Sequence, residues 1–595
     1  MPVEPASGTD TMFDEAVRLH RAGRDADALE SCDAILASEP ERGDLWRLKA
    51  VLLSRLGDTA GACAALARAI ALDPGDPDLR FQQAGLLIHL DRKQDAIAAL
   101  DALLARVPDH VEALKIIASL KRESGDLAGA IVAGEALIKL RPTDAASWSS
   151  LARSYRLALD WPHTEATSRR AAALDPRSAP AQVHHAIALV MVGDAAAGLA
   201  VAERARALDP GSADAEDARA AALRDLGRVD EALKSVARTL AIDPVHRGAL
   251  LRKGLLLHDQ GDPAAACAAY DELLALEPDH VDAHWNRGAA LLAGGQLEEG
   301  FAEYEWRIRS PLFYRGRPRH KQPRWDGSSL AGRAILIHAE QGFGDAIQFL
   351  RYLPLVATQT GKIWLEMQPP LKKLVTDSSL AGAVFATGDP LPDFDCRASL
   401  FSLPHLTGAM PGDPRLPMPY LRADPARVEQ WRPRVEALPQ PRIGLCWRGN
   451  PAHMRDRDRS LPLDALRKLL DLPASFVSLQ RADASPEIAA AGLGDRIADW
   501  SAAMDREGAF LDTAAVMMSL DWVVTVDTAI AHLAGALGRP TLLLLHRNPD
   551  FRWMLGRADT PWYPSLTLLR QTHAGDWAAP VATAAATISR PVAYG

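Results

Sequence analysis

Residues 210–244 read PGSADAEDARAAALRDLGRVDEALKSVARTLAIDP, and this stretch decides the fold of the first half of the chain. It has a proline at each end, small residues at Ala220 and Ala232, and a glycine between them at Gly227. Moving outward, the proline recurs at 40, 74, 108, 142, 176, 210, 244 and 278, always 34 residues on. The glycine recurs at 23, 57, 125, 193, 227, 261 and 295, with Asp91 and Leu159 in the two remaining places. One small-residue register runs from Ala16 through Ala50, Ala84 and Ala118 to Gly254 and Gly288; another runs from Ala28 through Ala62 and Ala96 to Gly300.

A fixed period of this length marks a repeat architecture. Glycine admits the left-handed turn between two antiparallel helices. Proline ends the second helix, and small residues let the pair approach closely. Such units bury their apolar faces on one another and present a continuous inner groove. His89, Asn286, Arg287 and the His184-His185 pair stand on these helices, and read as solvated residues as readily as contacts.

After Gly295 the repeat degrades into a basic, aromatic stretch from Glu305-Trp306-Arg307 to Arg324-Trp325, best read as a cap packing on the next domain. From Ala334, short β-rich runs alternate with amphipathic helices. The expected strands are 335–340, 362–367, 383–387, 442–447, 475–480, 522–527 and 541–546. Alternation of this kind predicts parallel sheets with helices on both faces, and ligands beyond the carboxyl ends of the strands. A proline-rich run from Pro411 to Pro441 separates two lobes. The expected organisation is therefore 9–314 repeats, 315–332 junction, 333–425 first lobe and 440–595 second lobe.

The net charge of -9 over 595 residues argues against a general nucleic-acid binder. Five cysteines without CxxC spacing suit a reducing compartment. With no signal-peptide pattern and no apolar run near the roughly 20 residues a span needs, the expectation is a cytoplasmic protein without a membrane span.

Two segments carry the candidate chemistry. In His338-Ala339-Glu340-Gln341-Gly342-Phe343-Gly344-Asp345, a strand end is followed by two glycines and an Asp at a helix start. Gly342 and Gly344 suit backbone amides offered to a ligand, and Asp345 is either a functional carboxylate or a helix cap. In Val526-Asp527-Thr528-Ala529-Ile530-Ala531-His532, Thr528 and Ala529 would present helix-start amides to a phosphate. Asp527 would repel that phosphate, so capping or loop ordering suits it better; His532 is a site residue or a core histidine. In the loop from Trp447 to Ser460, Arg448 and Arg455 are the leading candidates to grip phosphate oxygens. No Asp-x-Asp stands at a first-lobe strand end, Asp393-Phe394-Asp395 being in an irregular loop, so no metal ligands are expected.

The array resembles the tetratricopeptide-repeat (TPR) family at about nine repeats over 9–314. The two glycine- and Asp-bearing segments resemble the paired signatures of the family-9-type, heptosyltransferase-like bacterial glycosyltransferases, over about 330–595. That resemblance implies a GT-B fold of two Rossmann-like lobes, with Asp345 as catalytic base and Asp527, Thr528 and His532 at the donor phosphates. The family often has Gly after the Thr, where this chain has Ala529. An all-α TPR solenoid before an α/β GT-B domain is similar to TPR-linked bacterial protein O-glycosyltransferases, including those that modify flagellin. What this implies is metal-independent, inverting transfer of a nonulosonic acid from a CMP-sugar donor, without other cofactor, to Ser/Thr of flagellin held in the groove. A 300-residue groove itself favours a protein acceptor over a small one. Two alternatives stay open: a surface-polysaccharide or lipid glycosyltransferase whose repeats recruit a partner, and a non-catalytic TPR scaffold.

Overall fold

The computed structural model describes residues 8–310, 320–451, 456–480 and 485–590. From Gly8 to Tyr304 the described chain is a run of eighteen α-helices in antiparallel pairs, a TPR solenoid. The pair in the quoted stretch is Ala213–Asp225 and Val229–Ile242, and the Ser212 hydroxyl caps the first by accepting from the Ala215 amide. All seven turn glycines have φ between 75° and 92°, and Asp91 and Leu159 adopt φ of 56° and 58° in the same place. The left-handed turn is thus demanded by helix pairing, and glycine is the residue that meets it with least strain. The small register is equally mechanical: a Cβ on Gly254 would lie 2.3 Å from Tyr270 Cε1, and one on Gly288 would lie 2.7 Å from the Tyr304 amide nitrogen.

The chain forms two compact units, residues 1–244 and 245–595. The last two helix pairs, from Arg247 to Tyr304, therefore belong to the same unit as the α/β region. There they meet it through Arg307, which has no exposed surface and donates to both oxygens of Glu340 at 2.7 and 3.0 Å and to Ser402 Oγ at 2.9 Å. The capping role expected of the aromatic, basic stretch holds for Arg307; Arg315, Arg317 and Arg319 lie outside the described residues.

Among the described residues, ten strands form two parallel sheets. The first contains β1 (Ile335–His338), β2 (Ile363–Met367), β3 (Ala383–Ala386) and β4 (Cys396–Ser399), in the order β3-β2-β1-β4. The second contains β5 (Arg442–Cys446), β6 (Ser475–Ser478), β7 (Ile497–Ala498), β8 (Trp522–Val526), β9 (Thr541–Leu545) and β10 (Leu566–Arg570), in the order β10-β9-β8-β5-β6-β7. β4, β7 and β10 were not expected; all three are edge strands of their sheets. The proline-rich run also holds a helix, Pro425–Glu436, with Asp424 as its cap and Pro425 in the first turn, where a missing N–H costs nothing. In each sheet the chain leaves a central strand in both directions, at β1/β4 and at β5/β8, which opens a crevice at the carboxyl ends.

Candidate active site

After β1 the chain turns through Gly342, the N-cap of the helix Phe343–Phe349. Asp345 is the third residue of that helix rather than its cap. Its Oδ2 reaches back to accept from the Gly342 amide at 2.8 Å, and its Oδ1 pairs with Arg552 Nη2. Loss of water pushes the Asp345 carboxyl up, Arg552 pulls it down, and Asp550 adds to the rise. Gly344 permits close approach: a Cβ there would sit 2.8 Å from His532 Cδ2 and 3.5 Å from Ala529 Cα.

At the end of β8, Thr528 and not Asp527 caps the helix Ala529–Ala536, its Oγ1 accepting from the Ile530 amide at 3.3 Å. The first-turn amide of Ala529 has no acceptor among the described residues, as helix geometry requires of the first N–H groups. Asp527 lines the cleft instead, pushed up to about 6 by burial and by neighbouring Asp550, with Arg552 and Arg459 pulling the other way. His532 is 4 % exposed and packs its ring on Trp553, centroids 5.1 Å apart. Its Nδ1 lies 3.0 Å from Tyr563 Oη, and burial lowers it to about 3, so it is a neutral, core-packed histidine at the cleft wall.

Gln480, just after β6, clamps the loop that follows β5. Its Oε1 accepts from the Trp447 and Arg448 amides, both at 3.2 Å, and its Nε2 donates to the Arg448 carbonyl at 2.9 Å. Arg448 lines the cleft with its Nε on Glu487 Oε2 at 3.0 Å. Arg455 lies outside the described residues. Arg459 also lines the cleft, its Nε held by Asp456 Oδ1 at 3.1 Å.

These residues share one cleft of about 1350 Å³. It brings together Gly342, Gly344 and Asp345 of the first lobe with Arg448, Asp527, Thr528, Ala529 and His532 of the second. Its wall also includes Trp285 and Tyr304 of the final repeat, and Glu340, Asp550 and Arg552, none of which sequence reasoning assigned to the site. Arg552 is 6 % exposed and donates to Gln348 Oε1 at 2.8 Å and Asp550 Oδ1 at 2.5 Å, with its guanidinium 4.5 Å from the Phe551 ring centre. The available signal was its place in the loop after β9, the same carboxyl-end position that singled out the other two loops.

Fold and sequence define a TPR solenoid followed by an α/β region. The tetratricopeptide repeat profile matches residues 13–77, 218–273 and 251–308, and a second profile of the same repeat matches 53–120. Protein FlbA of Caulobacter vibrioides is 30% identical over 315 residues, covering 49% of this chain and 52% of that protein. The chain thus spans about half the length of this relative. Among solved structures, a tetratricopeptide repeat protein from Parabacteroides merdae is 15% identical, covering 42% of this chain and 98% of its own, with a TM-score of 0.36. YrrB, a TPR protein with an unusual peptide-binding site, is 18% identical, covering 31% and 95%, with a TM-score of 0.25. No helix among the described residues is long and apolar enough to cross a membrane.

Proposed function

We propose that the protein is a GT-B glycosyltransferase that moves a sugar from a nucleotide-sugar donor to a Ser or Thr hydroxyl of a polypeptide. The observation that carries this reading is the convergence of Asp345 and the Asp527–His532 segment on one cleft at the carboxyl ends of two parallel sheets. In this mechanism the acceptor oxygen attacks the anomeric carbon as the bond from that carbon to the donor phosphate breaks. Asp345 takes the hydroxyl proton, and the electron pair of the broken bond leaves on the nucleotide phosphate. The Ala529 amide, Arg448 and Arg459 are the groups placed to stabilise that charge. Trp285 and Tyr304 in the wall support an acceptor delivered by the repeats. By resemblance, the acceptor is flagellin and the donor a CMP-activated nonulosonic acid.

The test is the intact mass of flagellin co-expressed with this protein and a nonulosonic-acid pathway, against an Asp345→Asn variant shown to melt normally. A sugar-sized gain lost in the variant supports the reading. No gain with the wild type, while flagellin still binds, favours a scaffold or another donor.

A further inference from the structure

Within residues 1–244, the helices Val111–Glu123, Ala145–Leu157, Ala179–Met191 and Ala213–Asp225 are the first helices of the fourth to seventh repeats, and neighbours among them touch. Along the array, arginines commonly find carboxylates: Arg47 has Asp76 at 3.1 Å, Arg92 has Asp95 at 2.7 Å and Arg219 has Glu203 at 2.5 Å. Three on these helices do not. Arg122 donates only to hydroxyls, of Ser150 at 3.1 Å, Ser154 at 3.4 Å and Ser119 at 3.1 Å. Arg156 keeps a buried Nε without a hydrogen-bond acceptor, and the neighbouring His184 a buried Nδ1 without a partner. Arg153 is exposed one turn before Leu157, and among the described residues no carboxylate lies within ion-pair reach of Arg122, Arg153 or Arg156.

Burial, then the charge of Arg153, lowers the pKa of both Arg122 and Arg156, so the three cations sit at a cost to one another. His184 is lowered by burial, Arg156 and Arg153, and is therefore neutral. The acids that face the group are few: Asp214 acts on Arg156 and His184, and Glu123, beside Arg122, is occupied by Lys93 at 3.0 Å. Guanidinium groups without a carboxylate partner are geometrically selective receptors for carboxylates.

We propose that Arg122, Arg153 and Arg156 form a docking site for an acidic segment of a polypeptide partner laid across these helices. Consecutive helices stand about 8–10 Å apart, a spacing that an extended peptide bridges in about three residues. A nucleic acid is the poorer fit, because Glu112, Asp144 and Asp214 stand at the starts of the same helices and would repel a continuous run of phosphates. The site stands independently of sugar transfer.

The experiment uses the full chain and fluorescence anisotropy with a fluorescein-labelled, C-terminally amidated peptide, Gly-Ser-Glu-Glu-Glu-Ser-Gly, and its counterpart with Gln for Glu. The expected result is saturable binding of the Glu peptide and binding about tenfold weaker for the Gln peptide, with a similar loss in R153Q/R156Q. That double variant leaves the Arg122–serine network intact, and an unchanged melting temperature verifies its fold. Equal binding of the two peptides, no binding at about 1 mM, or full affinity in R153Q/R156Q would overturn the site. Tighter, arginine-dependent binding of a single-stranded DNA oligonucleotide would overturn the polypeptide assignment. Failure in any of these forms leaves the sugar-transfer reading to its own mass measurement.

Discussion

Arg552 and Asp345 are 207 residues apart in the chain and form an ion pair that joins the second lobe to the first at the floor of the cleft. The same guanidinium holds Asp550 and Gln348, so one cation organises the carboxylates on both sides. Arg552→Ala leaves the buried Gln348 and two partly exposed carboxylates without their partner, and is expected to cost about 1–3 kcal/mol, read as a lower urea midpoint. Arg552→Lys keeps the charge but loses the fork, and should cost less.

If Asp345 is the base, Asp345→Asn should lower the transfer rate by about 10²–10⁴-fold. Donor affinity, followed by nucleotide-sugar titration calorimetry, should change far less. A rate within twofold of wild type would remove Asp345 from the proton path.

Gly344→Ala places a Cβ 2.8 Å from His532 Cδ2, between two helices that have no slack. The expected loss is about 1–3 kcal/mol. Gly342→Ala is the control: its new Cβ meets only Asp345 Oδ2, at 3.3 Å, so its melting temperature should fall less.

Asp527 is raised to about 6 in the folded state, above the ordinary carboxylate range. The folded protein therefore holds this proton more tightly than the unfolded chain, and the associated stability is present below about pH 4 and lost as pH rises through 6. Asp527→Asn should then be more stable than wild type at pH 8, on the order of 1–2 kcal/mol, with the advantage gone at pH 4. Thermal melts across that range test the sign. An advantage that did not depend on pH would show that the charge is not its source.

Leu159 holds φ of 58° where seven repeats have glycine. Leu159→Gly relieves a conformation costing a non-glycine residue about 1–2 kcal/mol, partly offset by the entropy that glycine loses on folding. A net gain of about 0.5–1 kcal/mol is expected, visible as a higher melting temperature.

Residues close in the chain carry what was legible beforehand. The 34-residue period sets helix, turn and helix locally, because glycine, proline and alanine act on backbone and contact geometry within one repeat. The strand–glycine–Asp and strand–Asp–Thr segments were legible for the same reason: a parallel strand must deliver its loop to the carboxyl edge, and loops at that edge face the crevice. Even there, the cap on the second helix fell to Thr528 rather than Asp527. Only the tertiary structure decided which remote groups complete the cleft. Arg552 reaches Asp345, Gly344 makes room for His532, and Trp285 and Tyr304 of the final repeat enter the wall. Each of these is a contact between segments whose separation in space no local pattern encodes.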